Sequence, residues 1–207
     1  MTRLCRNFFV GDTVKIAQDL LGCYLVRIWH GEILVCRITE TEAYVGSIDK
    51  ACHAYGYRKT ARNEVMFGLP GHAYIYLIYG MYHCLNFTTN IEGEPDAVLL
   101  RGLSPVHGVE RMAQLRYGKT PSELSSYQKK NFLNGPGKCC KALDLNRSLN
   151  SVDLCGDKLF ICRNLSDIGL PEEQKEFTIH CGKRIGIDYA EEAVDFPWRF
   201  WTEEKTC

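Results

Sequence analysis

The chain has 207 residues, enough for one large domain or two small ones with a real core. Its 45% hydrophobic and 24% charged content is that of an ordinary soluble globular protein. Lys and Arg number 25 and so do Asp and Glu, which argues against a globally basic nucleic-acid binder but leaves room for a local basic face.

The opening stretch MTRLCRNFFVGDTVK contains no apolar h-region, so a secretory leader is not expected. No apolar run of about 18 residues occurs, so no membrane-spanning helix is expected. Phe8, Phe9 and Val10 lead into a helix with Asp12 or Thr13 as N-cap. Val14, Ala17, Leu20 and Leu21 follow at helical spacing, and Gly22 closes it. Cys23 to Trp29 reads as a strand, and His30-Gly31 turns it into a longer strand from about Glu32 to Tyr44. Alternation puts Leu34, Cys36, Ile38, Glu40, Glu42 and Tyr44 on one face. That face starts apolar and ends in two carboxylates and a phenol. Such a carboxylate either pairs with a buried cation or serves as a general acid or base, and the ion pair is the commoner outcome.

Val45 to Pro70 lacks regular pattern and carries His53, Tyr55, Tyr57, Arg58, Lys59, Arg62 and Asn63. A loop of that length in a compact domain is functional or disordered, and its aromatic and basic content favours function. Ala73 to Tyr79 and Tyr82 to Thr88 are β-prone. Gly80-Met81 is expected as a two-residue type II′ turn, with Tyr79 beside the tip. In that register Tyr76 pairs with Leu85, and Asn86 falls on the opposite face unless a bulge or longer turn intervenes. Ala97 to Arg101 is a buried strand that Arg101 ends. Val109, Met112, Ala113 and Arg116 mark a short helix closed by Gly118, and Pro121 to Phe132 reads as another. Asn134-Gly135-Pro136-Gly137-Lys138 stops that helix and opens a third, to about Leu145. Lys158 to Cys162, Phe177 to Cys181 and Pro197 to Trp201 read as late strands.

There is no repeat and no linker. Residues 1–207 are therefore expected as a single α+β domain, a curved mixed or antiparallel sheet with a protruding β-hairpin and surrounding helices. The 11 cysteines are odd in number and lack CxxC spacing, which predicts free thiols in a reducing, intracellular compartment. Cys23, Cys36, Cys84 and Cys162 sit in apolar contexts. Cys52-His53 and Cys139-Cys140 have no partners at ligand spacing, so no metal and no cofactor are expected. Cys207 is not preceded by an aliphatic pair, so prenylation is not expected.

Several motifs recur in an order typical of one family. They are Glu40-Thr41-Glu42-Ala43-Tyr44, His53, Arg62-Asn63-Glu64-Val65-Met66-Phe67, and the run from Gly71 to Tyr82. Ala97 to Arg101, Asn134 to Lys138 and Arg184-Ile185-Gly186-Ile187 follow. Together, from about Phe8 to Trp201, they resemble the alkyladenine (3-methyladenine) DNA glycosylases of the methylpurine type. The resemblance implies hydrolysis of the bond between a damaged purine and deoxyribose in double-stranded DNA. It implies Glu42 as the residue that deprotonates the attacking water, and Arg101 as a residue that helps hold it. Tyr44, His53 and Tyr76 would sandwich the flipped base, Asn86 would screen out guanine, and Tyr79 would fill the gap in the duplex. Similar proteins are nuclear in eukaryotes and cytoplasmic in bacteria, and Gly186 to Ala190 looks closer to the bacterial branch.

The chemistry is plausible without the resemblance. A base inside a duplex must be flipped out, which costs a few kcal/mol. A large side chain at a hairpin tip can wedge the vacated stack. Flat aromatic faces hold a cationic alkylated purine through a cation–π term. Such a purine is already a good leaving group, so one carboxylate base suffices, whereas neutral hypoxanthine needs a proton from His53 or a water. No lysine has a clear case as a Schiff-base nucleophile, which predicts a monofunctional enzyme; a monomer is expected. Arg62 and Lys138 are candidate phosphate contacts, although both are equally plain as solvated charges. Two rivals remain at this stage. Glu40 and Glu42 could be the paired carboxylates of a nucleoside or sugar hydrolase, or the aromatics could belong to a non-enzymatic nucleic-acid module.

Overall fold

A computed structural model describes residues 3–172 and 176–205; the reading attached to Cys207 lies outside the described residues. The strands are β1 (Tyr24–Trp29), β2 (Glu32–Tyr44), β3 (Ala73–Ile78), β4 (Tyr82–Thr89), β5 (Asp96–His107), β6 (Leu159–Cys162), β7 (Phe177–Gly182) and β8 (Arg199–Glu204). They form one curled sheet in the order β3-β4-β5-β2-β1-β6, with β8 pairing both β2 and β7. Among the described residues every strand pairing is antiparallel. With helices α1 (Thr13–Asp19), α2 (Val109–Tyr117), α3 (Ser126–Lys130) and α4 (Pro136–Ala142), the fold is α+β. Among the described residues no helix is long and apolar enough to cross a membrane.

The helices start where their caps are. The Asp12 side chain accepts from the N–H groups of Val14 (2.8 Å) and Lys15 (3.3 Å) and opens α1. Gly118, with φ +67°, closes α2 as expected. The helix expected from Pro121 to Phe132 is instead a 3-10 turn, Pro121–Glu123, followed by α3. Two capping boxes in a row explain the break: Thr120 with Glu123, then Ser125 with Gln128, each start a new helix and leave Leu124 extended between them.

One face of the sheet is packed against helices. Ile38, Ala43, Ile75, Leu85, Phe87, Val98 and Leu100 share a buried cluster with Ile16 and Ala17 of α1, Met112 and Ala113 of α2, and Cys139 and Cys140 of α4. Burying one such Leu, Ile or Phe side chain contributes roughly 1.5–3 kcal/mol. Cys23, Cys36, Cys84 and Cys162 are buried, and the described cysteines are free thiols.

The alternation expected along β2 does not survive its whole length. Ile38 pairs with Leu103 and Glu40 with Gly102, so Thr39 is an extra residue on β2. Thr41 then pairs with Leu100, so Arg101 is an extra residue on β5. These two bulges, one on each strand, re-aim the side chains that follow. Ile38 therefore shares the helix-packed face with Thr41 and Ala43: the Thr41 hydroxyl donates to the Ala17 carbonyl at 2.7 Å, and Ala43 lies in the main cluster. Glu40, Glu42 and Tyr44 take the other face. Gly102 is needed here, because a Cβ on it would stand 2.9 Å from the Glu40 Cβ. Nor does Arg101 end its strand. It sits in mid-strand, since β2 keeps pairing with β5 as far as His107.

The β3–β4 turn also differs from expectation. Ile78 pairs with Tyr82, so three residues rather than two form the loop. Tyr79 and Gly80 have φ of +53° and +69°, and the Met81 N–H donates to the Ile78 carbonyl at 3.2 Å. Positive φ at both central residues is the mark of a type I′ turn, whose twist suits a hairpin. The added residue shifts the register: Tyr76 pairs with Cys84 and Tyr74 with Asn86. Asn86 therefore shares a face with Tyr74 and Tyr76, and the opposite-face reading is overturned.

Candidate active site

The unpacked face of β2, β5, β4 and β3 is the floor of a cavity of about 910 Å³. Register aligns Glu42, Leu99, Asn86 and Tyr74 in one row across the four strands. The walls come from the loop after β2, the hairpin tip, the Gly135 to Lys138 turn, and a segment from Ile185 to Tyr189. Tyr44, His53, Arg62, Tyr76, Tyr79, Asn86, Arg101 and Lys138 all line it.

Glu42 lies just behind this lining, beside Tyr44 and Arg101, and is wholly buried. One carboxylate oxygen accepts from the Tyr44 hydroxyl at 2.7 Å and the other from the Ile185 N–H at 2.8 Å. The nearest cation, Arg101 Nε, is 3.5 Å from the second oxygen. Burial pushes the Glu42 carboxyl above the usual carboxylate range; Arg101, Tyr44 and the Ile185 amide pull it back only in part. Burial, reinforced by Glu42, holds the Tyr44 phenol protonated, so it donates.

Arg101 is oriented by Glu40, to which its Nε donates at 3.2 Å. Arg199 donates to the same Glu40 oxygen at 3.0 Å. Glu40 is thus engaged by two guanidinium groups, which removes the support for a two-carboxylate hydrolase. His53 stands edge-on to Tyr76, with ring centroids 4.6 Å apart and planes at 72°. Its Nδ1 is 2.8 Å from the Tyr74 hydroxyl. Burial, assisted by Arg62, lowers its pKa to about 4, so the imidazole is neutral at pH 7.

Asn86 is buried, and its amide donates to the Tyr74 carbonyl at 3.0 Å. Tyr79 is 80% exposed at the hairpin tip. Arg62 lies over the Tyr76 ring, 4.8 Å from its centroid, so it belongs to the cavity wall as well as to the surface. Lys138 donates to the side-chain oxygens of Asn131 (2.9 Å) and Asn134 (2.7 Å) at the rim.

Some supporting residues escape sequence reasoning. Arg184 and Asp49 form a fully buried ion pair, and Arg184 stacks 4.6 Å from the centroid of the Tyr44 ring. The pair steadies both Tyr44 and the Ile185 amide that reaches Glu42. Arg184-Ile185-Gly186-Ile187 stands out as a motif in the sequence. Its partner lies 135 positions away, where no local pattern points to it.

A family model described as methylpurine-DNA glycosylase (MPG) matches residues 7–206. The chain belongs to this family. It is therefore a DNA glycosylase, a hydrolase of N-glycosyl bonds, and the resemblance carried by the ordered motifs holds along nearly all of it. A Desulfitobacterium hafniense (strain Y51) relative of the glycosylase is 47% identical over 204 residues, spanning 99% of this chain and 97% of its own. A Clostridium perfringens (strain 13 / Type A) relative is 48% identical over 202 residues, spanning 98% and 96%. A Bacillus cytotoxicus relative is 50% identical over 197 residues, spanning 94% and 93%. Each is described as a "Putative 3-methyladenine DNA glycosylase".

Proposed function

We propose that this glycosylase extrudes alkylated or deaminated purines from duplex DNA and hydrolyses the N-glycosidic bond with a water that Glu42 deprotonates. The observation that supports this most is Glu42 itself. It is a buried carboxylate with raised proton affinity, whose nearest cation, Arg101, stands off at 3.5 Å, set behind an aromatic cavity. Those are the properties of a general base rather than of a saturated ion pair.

In the reaction the water oxygen bonds to the sugar C1′, its proton passes to Glu42, and the C1′–N bond breaks. The bonding pair leaves with the purine, and an abasic site enters base excision. Arg101 helps hold the water beside Glu42. Tyr44, His53 and Tyr76 hold the extruded base, with a cation–π gain of about 0.5–2 kcal/mol for a charged lesion. A cationic purine departs neutral. A neutral lesion such as hypoxanthine takes its proton from water, because His53, with a pKa of about 4, is neutral at pH 7 and its remaining N–H is too weak an acid. Asn86 screens out guanine, Tyr79 fills the emptied stack, and Arg62 and Lys138 meet phosphates. Lys138 is tied to Asn131 and Asn134, and with no lysine making a clear case as a Schiff-base nucleophile no strand-cleaving lyase step is expected. The enzyme acts inside the cell as a monomer, with residues 1–207 as one domain.

The test is single-turnover base release from duplex DNA carrying hypoxanthine, ethenoadenine or a methylated purine, with abasic sites then cleaved by alkali. Wild type should release base, and Glu42→Gln should bind the duplex yet release none. Full rate in Glu42→Gln would place the base elsewhere. Binding without release in wild type would favour the non-enzymatic module. Strand cleavage without alkali, with borohydride trapping of a covalent complex, would refute monofunctional action.

A further inference from the structure

At the same cavity mouth as the hairpin tip, a pair of apolar side chains from another segment is presented to solvent. Tyr189 is 68% exposed and Ile185 is 51% exposed, and both line the cavity with Tyr79. Their support is rigid. Arg184 is locked to Asp49, while Ile187 and Ala190 are buried against Ala51 and Ala193. Residues 184, 187 and 190 thus anchor the segment, and residues 185 and 189 project from it. Large apolar groups held out at the rim of a binding cavity mark a contact surface.

The charges around them decide what kind of contact it is. Asp188, Glu191 and Glu192 flank the pair. The nearby lysines are already taken: Lys50 pairs with Glu191 and Glu192 at 2.5 and 2.9 Å, and Lys183 pairs with Asp195 at 2.5 Å. This rim has little to offer a phosphate. It suits the uncharged parts of a nucleotide, in the way apolar side chains meet sugars and base steps in a minor groove.

We propose that Ile185 and Tyr189 form a second, uncharged contact with DNA, taking the deoxyribose and base edge of the nucleotide beside the extruded one while Tyr79 occupies the gap. This rests on the extrusion reading above. The contact also bears on the segment whose Ile185 N–H holds Glu42, so seating the duplex and seating the carboxylate involve the same five residues, 185–189.

The experiment is a salt titration of binding to a fluorescein-labelled duplex with a central tetrahydrofuran abasic analogue. Tyr189→Ala should raise Kd roughly tenfold, as loss of one aromatic contact to a base does. The slope of log Kd against log salt should match wild type, because no phosphate contact is lost. Tyr189→Phe should bind like wild type, and Ile185→Ser, which keeps the backbone amide, should weaken binding in the same salt-independent way. Thermal melting of each variant confirms that it is folded. Unchanged Kd in Tyr189→Ala, or a shallower salt slope, overturns the proposal. Base release from methylated duplex by wild type is read in parallel. Its absence sinks the function reading, whereas an active wild type with an indifferent Tyr189→Ala sinks this inference alone.

Discussion

Asp49 and Glu42 are close in the chain, equally buried, and treated in opposite ways. Asp49 receives both terminal nitrogens of Arg184 and also accepts the Ala51 N–H at 2.9 Å. Arg184 in turn donates to the carbonyls of Ala43 (2.8 Å) and Ala193 (3.1 Å). Glu42 has a phenol, an amide and a guanidinium held at 3.5 Å by its prior bond to Glu40. A buried charge met by a bidentate partner is held to one arrangement, although the Arg184 Nε has no hydrogen-bond partner among the described residues. A buried charge with incomplete compensation keeps its appetite for a proton. The fold holds the first beside the second, so that rigidity at Asp49 and Arg184 sustains reactivity at Glu42.

The sharpest way to break this contrast is to neutralise each carboxylate. Glu42→Gln should lower single-turnover base release by about 10²–10⁴-fold, the usual worth of a positioned general base. Its melting temperature at neutral pH should not fall, since the change removes a poorly compensated charge. Asp49→Ala should do the reverse of that pattern, destabilising the fold by about 3–5 kcal/mol in denaturant titration because Arg184 is left buried and unpaired. A Glu42→Gln variant that unfolds, or an Asp49→Ala variant that melts like wild type, would dissolve the distinction. Tyr79→Ala comes next, with a loss of about 1–3 kcal/mol in binding to a lesion duplex.

Smaller effects sharpen the same picture through pH. Glu42 must be ionised to act, and its pKa is raised, so the acid limb of the rate profile should lie above the ordinary carboxylate value of 4.5. The stability sign follows. The folded chain keeps the Glu42 proton where the unfolded chain has lost it, so this group's contribution to stability declines as pH rises from the ordinary value through the raised one. His53 works the other way. Its pKa falls from 6.5 to about 4, so the unfolded chain binds the proton first and stability declines as pH drops between those values. NMR titration of the imidazole should show a midpoint near 4 and none near 6.5.

Much of the fold and site is legible in the residues. Asp12 announces α1, Gly118 closes α2, and the extended runs fall where the strands are. The cavity residues are legible through the ordered motifs. What stays hidden is what depends on partners distant in sequence. The length of β5 is set by β2, not by Arg101. The three-residue loop at Tyr79 is set by the pairing of Ile78 with Tyr82, and with it the face on which Asn86 appears. Glu42 reads from the sequence as the end of an apolar row, and the bulges place it on the other face.

Thr39, the extra residue on β2, gives the strand a change of phase. Before Thr39 the odd–even rhythm of β2 sends one set of side chains to the helices, and after it the other set. A substitution at Thr39 alters one side chain, and deleting the residue would remove the bulge and leave Glu40, Glu42 and Tyr44 on the cavity side, but one residue inserted after Thr41 would invert Glu42 to Tyr44. After such an insertion Ala43 would line the cavity and Glu42 would be driven against the helices. In this strand the count of residues carries as much information as their identity, and a one-codon insertion after Thr41 should be more damaging than deletion of Thr39 itself.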